Sequence, residues 1–179
     1  MARWVSLCKA WVLGVTDTMV DATLPGAGGR VLESIMRTDA PLLTLETSQP
    51  DHLVEQFRKQ VRHSGEAVYV WREGEGLRSL RDTGMRVPGC LRLVDTLRYV
   101  LKSRHFGIYL MAEVSLPLTQ TNRLLLRRIA HTRTDFVRRV VLFDGNADLA
   151  QRLGDLSVPL KYQPAARPHV RLRDGRWVH

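Results

Sequence analysis

Lysine is scarce in this chain. Lys9, Lys59, Lys102 and Lys161 stand among 27 basic residues, set against 18 acidic ones, so the net charge of +9 is carried mostly by arginine. Arginine favours planar, two-point contacts with phosphate or carboxylate over diffuse steering. A basic surface invites nucleic acid, anionic lipid, a nucleotide or an acidic protein. Cysteine is limited to Cys8 and Cys90, and no metal-ligand spacing joins either to a histidine, which leaves two small buried or half-buried thiols. Aromatic residues make up only 7%, which weakens a reading as a single-strand nucleic-acid binder, since such binding uses stacking platforms. No apolar run reaches about 18 residues, so no transmembrane helix is expected. The start, from Met1 to Val15, is apolar but holds Lys9 and Gly14 and precedes no clean cleavage site, so a cytoplasmic protein is expected. There is no repeat, no low-complexity segment, no histidine pair at ligand spacing and no Ser, His and Asp set.

What is present is ordinary globular composition. The 179 residues, 44% hydrophobic and 25% charged, suit one domain with extensions, since domains run roughly 100–200 residues. Trp4, Leu7, Cys8, Trp11, Val15 and Met19 recur at helical spacing, which predicts an amphipathic helix over residues 3–20. Its two tryptophans, Trp4 and Trp11, are candidates for docking on the protein's own core, on a partner or second subunit, or on a membrane surface. Leu24 to Arg30 is Gly-rich but has no Gly-Lys-Ser/Thr and no strand before it. It cannot cradle a phosphate and reads as a linker, with a short helix from Val31 to Arg37 behind it.

Strands and helices then alternate. Pro41–Thr47 is a first strand, and Ser48-Gln49-Pro50-Asp51 opens a helix with small polar residues, an early proline and an acid at its positive end. Leu53, Val54, Phe57 and Val61 form its inward face, and Gly65 stops it. Ala67–Trp71 is a second strand, apolar throughout. Residues 72–89 read as a polar loop, followed by a helix marked by Leu91, Val94, Leu97, Val100 and Leu101. The run Phe106–Ala112, ending in Glu113, is expected as the central, doubly covered strand. A helix carrying Leu125, Leu126 and Ile129 leads to a fourth strand, Arg139–Phe143, then to a short helix with Leu149 and Leu153. A fifth strand covers Leu156–Tyr162. The tail, His169–Val178, holds Asp174-Gly175 between two alternating runs, a hairpin signal. The pattern predicts an α/β fold, a doubly wound, mainly parallel five-stranded sheet. Its parts are an amino-terminal helix and linker (1–29), the α/β domain (30–163) and a hairpin tail joined to the same sheet (164–179).

In open parallel sheets ligands bind beyond the carboxyl ends of the strands. Those ends hold Glu46, Trp71 with Glu73, Glu113, Asp144 and Lys161, and several carboxylates on one rim could take a divalent metal or share a proton. The first strand-to-helix turn, Leu45-Glu46-Thr47-Ser48-Gln49-Pro50, has neither glycine nor lysine. It cannot wrap a triphosphate, and Pro50 removes one donor at the helix start. The helix after Glu113 places Arg123, Arg127 and His131 at i, i+4 and i+8, with Arg128 beside them and Arg133, Arg138 and Arg139 following. Like charges one turn apart repel by a few tenths of a kcal/mol, a cost that a bound anion would relieve.

Several segments together resemble a known family. Arg37–Thr47, Ala67–Trp71, Gly76-Leu77, Gly107–Met111 and Arg123–Ala130, in this order and spacing over residues 30–162, resemble the amino-terminal region of the AAA-type ATPases encoded in chloroplast and cyanobacterial genomes. The resemblance implies a RecA-like domain without a functional Walker A loop, a degenerate P-loop relative, with Glu113 at a vestigial Walker B-like position. That region precedes an ATPase domain, and none follows within these 179 residues. Gly175 and Trp177 add a weak similarity to degenerate RecA-like domains of bacterial cellulose-secretion regulators. Glu113-Val114-Ser115-Leu116-Pro117 is similar to the phosphoacceptor turn of response-regulator receivers, with Glu in place of Asp and Lys161 near the usual lysine; a Glu there would not be phosphorylated in the usual way.

The expectation is therefore a non-enzymatic regulatory or scaffolding subunit without a cofactor. It would bind a protein partner or another copy of itself through Trp4 and Trp11 or an exposed sheet edge, as in a secretion system. The alternatives are an anion-binding module that takes a nucleotide or nucleic acid on Arg123, Arg127 and Arg128, and a degenerate receiver.

Overall fold

A computed structural model describes residues 19–22, 27–145 and 148–164. In chain order the elements are β1 (Met19–Ala22), α1 (Ala27–Arg37), β2 (Leu42–Glu46), α2 (Pro50–Ser64), β3 (Val68–Arg72), β4 (Gly76–Ser79), α3 (Leu93–Lys102) and β5 (Gly107–Met111). They continue with α4 (Gln120–His131), β6 (Arg138–Asp144), α5 (Asp148–Leu153), a 3-10 turn (Gly154–Leu156) and β7 (Val158–Pro164). One sheet runs in the order β1-β7-β2-β6-β5-β3-β4. Every pairing is parallel except that of β4, which runs antiparallel against β3.

The strands are apolar on both sides because both faces of the sheet are covered. Alternate residues divide between two cores. Leu43, Leu45, Val68, Val70, Ile108, Leu110, Val141 and Phe143 meet Val31, Leu32 and Ile35 of α1 and Leu53, Phe57 and Val61 of α2. Leu42, Trp71, Tyr109, Met111, Val140 and Leu142 meet Leu97 and Val100 of α3, Leu126 and Ile129 of α4, and Leu149 and Leu153 of α5. Each fully buried Leu or Phe contributes about 1.5–3 kcal/mol relative to an exposed one. The connections β1–α1–β2 and β2–α2–β3 run toward the β4 edge across the first face. Those carrying α3, α4 and α5 run back across the second face. Opposite directions on opposite faces give every crossover one hand, as parallel connections require.

The structure revises several expectations. Among the described residues seven strands replace five. The two additions are edge strands: β1 takes up Met19 and Val20, which the helical spacing had assigned to the end of a helix over 3–20, and β4 lies inside the polar loop 72–89. Gly28 and Gly29 belong to α1 rather than to a linker, so the helix begins at Ala27 and not at Val31. A Cβ at Gly28 or Gly29 would collide with the side chains of Gln56 and Gln60, so these glycines let α1 lie close on α2. The middle position of the sheet belongs to β6, not to β5, although all five residues of β5 are buried. The β4 edge is not open. Segment 85–90 lies along it, with Val87 N–H donating to Leu77 O at 2.9 Å and Leu77 N–H to Cys90 O at 3.1 Å, which shields an edge that would otherwise pair with another chain. Cys90 is a buried thiol whose pKa burial pushes up. Cys8, the segment 3–18 with Trp4 and Trp11, and the hairpin over 169–178 lie outside the described residues.

One packing cluster has a pH signature. Tyr109 of β5 is fully buried. It stacks on Tyr69 at 5.2 Å between ring centroids and meets Tyr99 edge-on at 6.4 Å. Its ring folds over Gly107, where a Cβ would come within 2.8 Å of the phenol oxygen, so the strand needs glycine there. Burial pushes the Tyr109 phenol up to about 12, against the smaller opposing effect of its hydrogen bond with Ser103 Oγ at 3.0 Å. In the unfolded chain the same group ionises near 10. Below that pH both states keep the proton. Between about 10 and 12 only the folded state keeps it, so stability falls as pH rises through this window. Urea titrations at stepped pH should show Tyr109→Phe losing this slope, which is at most about 1.4 kcal/mol per pH unit for one proton. An unchanged slope would mean that the folded protein does not hold the phenol neutral.

Candidate functional site

The crossovers change direction between β2 and β6. From the carboxyl end of β2 the chain leaves over one face into α2, and from the neighbouring end of β6 it leaves over the other into α5. Such a divergence opens a crevice, the usual ligand position in an open α/β sheet. Here the crevice is closed by its own backbone. Only Thr47, Ser48 and Gln49 separate β2 from α2. Gln49 N–H donates to Thr47 Oγ1 at 3.1 Å, Thr47 N–H donates across to Asp144 O at 3.1 Å, and Pro50, at the start of α2, has no N–H to offer. The buried carboxylate of Asp144 accepts from Ala150 N–H at 3.0 Å and so holds the start of α5. Of the donors that could converge on a phosphate here, the N–H groups of Thr47 and Gln49 are committed to the protein and Pro50 has none.

The next strand ends hold an ion bridge. Arg72 closes β3, and its Nη1 donates to Glu113 Oε1 at 2.8 Å while its Nη2 pairs with Asp51 in the first turn of α2. Burial disfavours the Arg72 cation, but the hydrogen bonds and charges of Asp51 and Glu113 outweigh it and raise its pKa. Beside this, Ser115 Oγ donates to Glu73 Oε2 at 2.5 Å. Glu113, Glu73 and Asp144 are therefore engaged separately, and no three His, Cys, Asp or Glu side chains converge on a metal-sized site among the described residues. Glu113 follows β5 and Lys161 lies on β7, with β6 and β2 between those two strands. Three strand spacings, about 14 Å, separate the pair that the receiver resemblance brings together.

A shallow concavity of about 510 Å³ opens next to the bridge, between the starts of α3 and α4. Trp71, Leu91, Leu93, Val94, Pro117 and Asn122 contribute to its lining. Its floor is fixed by Trp71, whose Nε1–H donates to Leu91 O at 3.1 Å. From here α4 runs along the surface. Thr119 caps it by accepting from Asn122 N–H at 3.2 Å. Leu126 and Ile129 face inward, while Arg123, Arg127, Arg128 and His131 are exposed. Arg123 Nε–H donates to Leu118 O at 3.2 Å. None of the ion pairs among the described residues involves Arg123, Arg127 or Arg128. Leu124, 56% exposed, sits among them. Arg138 and Arg139 do not extend this stripe. They are buried strand residues, and Arg138 Nη1 donates to Val100 O at 2.8 Å and Leu101 O at 2.9 Å, satisfying carbonyls in the last turn of α3.

Arg72 went unnoticed in the sequence because its partners are 21 and 41 residues away. The only local signal was an arginine ending an apolar strand.

The sheet order, the one-handed crossovers and the crevice at β2 and β6 define a doubly wound α/β domain consistent with a RecA-like fold. More narrowly, the chain belongs to the SpoVK-like AAA ATPase N-terminal domain family, which residues 29–162 match. No curated protein and no solved structure matches it.

Because Asp51 and Glu113 are half or more exposed, the bridge should be worth little. A double-mutant cycle of Arg72→Met and Glu113→Gln should give a coupling of about 0.2–1 kcal/mol. That coupling should shrink when salt is raised to about 1 M. A coupling that salt leaves untouched would show the pair to be desolvated.

Proposed function

We propose that this domain is a non-catalytic regulatory or scaffolding module that binds a protein partner and docks an acidic, partly apolar surface of it on α4. The observation that carries the reading is the three-residue turn from Thr47 to Gln49, closed by its own threonine and running straight into Pro50. At the crevice where this sheet class holds its ligand, the turn is three residues long and carries neither the glycines nor the lysine that would surround a triphosphate. Glu113, at the strand end where the family resemblance puts a Walker B-like carboxylate, is tied to Arg72. The surface left for function is the helix face, where Arg127 and Arg128 are exposed and no carboxylate occurs along the twelve residues of α4. Trp4 and Trp11, on the amphipathic pattern ahead of β1, would form a second contact with the partner or with another copy of the chain.

A second reading, a nucleotide or nucleic acid held by Arg123, Arg127 and Arg128, rests on the same basic face, which carries no carboxylate. Leu124 weighs toward protein, since an apolar side chain amid the arginines matches the mixed surface of a partner better than a phosphate backbone does.

The test compares wild type with an Arg123→Glu, Arg127→Glu variant. Mg-ATP should produce neither hydrolysis nor a thermal shift in either protein. Affinity capture from the source cell's extract should retain a partner on wild type that elutes as salt rises and is absent from the variant, at equal melting temperature. A saturable ATP shift, or a nuclease-sensitive catch, would replace this reading with the nucleotide or nucleic-acid one.

A further inference from the structure

A second concavity of about 510 Å³ lies at the opposite, amino-terminal end of the sheet. Its walls are Asp39 and Pro41 ahead of β2, the last turn of α4, the loop over 132–137 and the first residues of β6. Arg139, which lines it, is only 9% exposed, and its Nε has no hydrogen-bond partner. Its Nη1 donates to the carbonyl of the adjacent Arg138 at 3.3 Å. The charge of Asp39 favours the Arg139 cation, yet burial outweighs it and the pKa falls below the usual arginine range. A guanidinium taken out of water without a hydrogen-bonded counter-ion is a costly arrangement, and a bound anion would relieve it.

The surroundings point the same way. Arg133 and His131 are exposed at the same concavity, and neither joins any ion pair among the described residues. Arg133, Arg138 and Arg139 against Asp39 and Asp135 leave the lining cationic even with His131 neutral. The loop is held by its threonines: Thr132 Oγ1 donates to Arg128 O at 2.6 Å and Thr134 Oγ1 to Phe136 O at 2.7 Å. Phe136, 45% exposed, presents an aromatic ring beside the cations.

We propose that this concavity is a binding site for a small organic phosphate. Arg139 supplies the buried donor, Arg133 and His131 meet the phosphate from the rim, and Phe136 packs against the body of the molecule. Two nitrogens of a guanidinium match two oxygens of one phosphate, the pairing arginine makes best. The site lies at the far end of the sheet from the crevice at β2 and β6, and it does not depend on α4 as a docking face.

The experiment titrates the full chain with phenyl phosphate, inorganic phosphate, benzoate and phenol, read by calorimetry and by backbone amide shifts. Phenyl phosphate should bind saturably and move amides in residues 132–139. Inorganic phosphate should bind more weakly, and phenol should not bind. Arg139→Met should keep or raise the melting temperature, because an apolar side chain replaces a buried cation that lacks partners, and should weaken binding about tenfold or more. Arg133→Gln, at an exposed position, should fold normally and also weaken binding. The proposal fails if phenyl phosphate does not saturate, if benzoate binds equally well, if the perturbed amides lie elsewhere, or if Arg139→Met keeps its affinity. Should Arg139→Met not fold, an unchanged affinity in Arg133→Gln overturns the proposal by itself.

Discussion

The requirement that a parallel sheet be covered on both faces governs this molecule. An interior strand such as β5, with Ile108 and Leu110 in one core and Tyr109 and Met111 in the other, has no side that tolerates water. The chain must therefore supply helices above and below, and the one-handed crossover rule ties each helix's face to the direction in which the chain is moving across the sheet. From that tie comes the divergence between β2 and β6. The crevice is thus a by-product of covering the sheet and exists whether or not a ligand occupies it.

What a protein does with the crevice depends on the length and chemistry of the turn that borders it. A loop with glycines and a free helix start would present a set of unpaired N–H groups. Here Thr47, Gln49 and Pro50 leave the turn short and inwardly bonded. Next to it, Arg72 at the end of β3 bridges two carboxylates, Glu113 in the segment after β5 and Asp51 in α2. These residues are thus committed to holding the strand ends and a helix start together. Recognition by surface charge needs neither carboxylates nor amides at this end of the sheet.

The legibility of the sequence followed the strength of the burial. The runs in β2, β3, β5 and β6 are continuous and apolar, so they stood out, and with them the α/β class and the alternation of elements. The edges did not. β4, Gly76-Leu77-Arg78-Ser79, is short and half polar because one of its sides meets segment 85–90 rather than a sheet neighbour. β1 sits where a helical spacing of apolar residues also fits. The start of α1 was masked by Gly28 and Gly29, which signal a break in isolation but serve here as a close helix contact. Arg138 and Arg139 were misplaced for the opposite reason. Charge suggests a solvated surface, and nothing in the sequence says that the carbonyls of α3's last turn will lie within reach of one guanidinium.

That last misreading bears on where the positive charge of this domain acts. Arginine in excess need not be a surface property alone. Some of it is spent on structure, as Arg138 is on helix carbonyls and Arg72 on two carboxylates. Some is displayed without acidic partners along α4. Arg139 is neither fully spent nor displayed: it is buried, beside a concavity, with a donor unpaired. Folding can afford a few such residues, because one uncompensated group is small against the burial of two cores. At the carboxyl end of the sheet Arg72 is matched by Asp51 and Glu113, whereas Arg139 at the amino end and the arginines of α4 join no ion pair among the described residues, so this unmatched charge is the part of the molecule most open to an anionic partner.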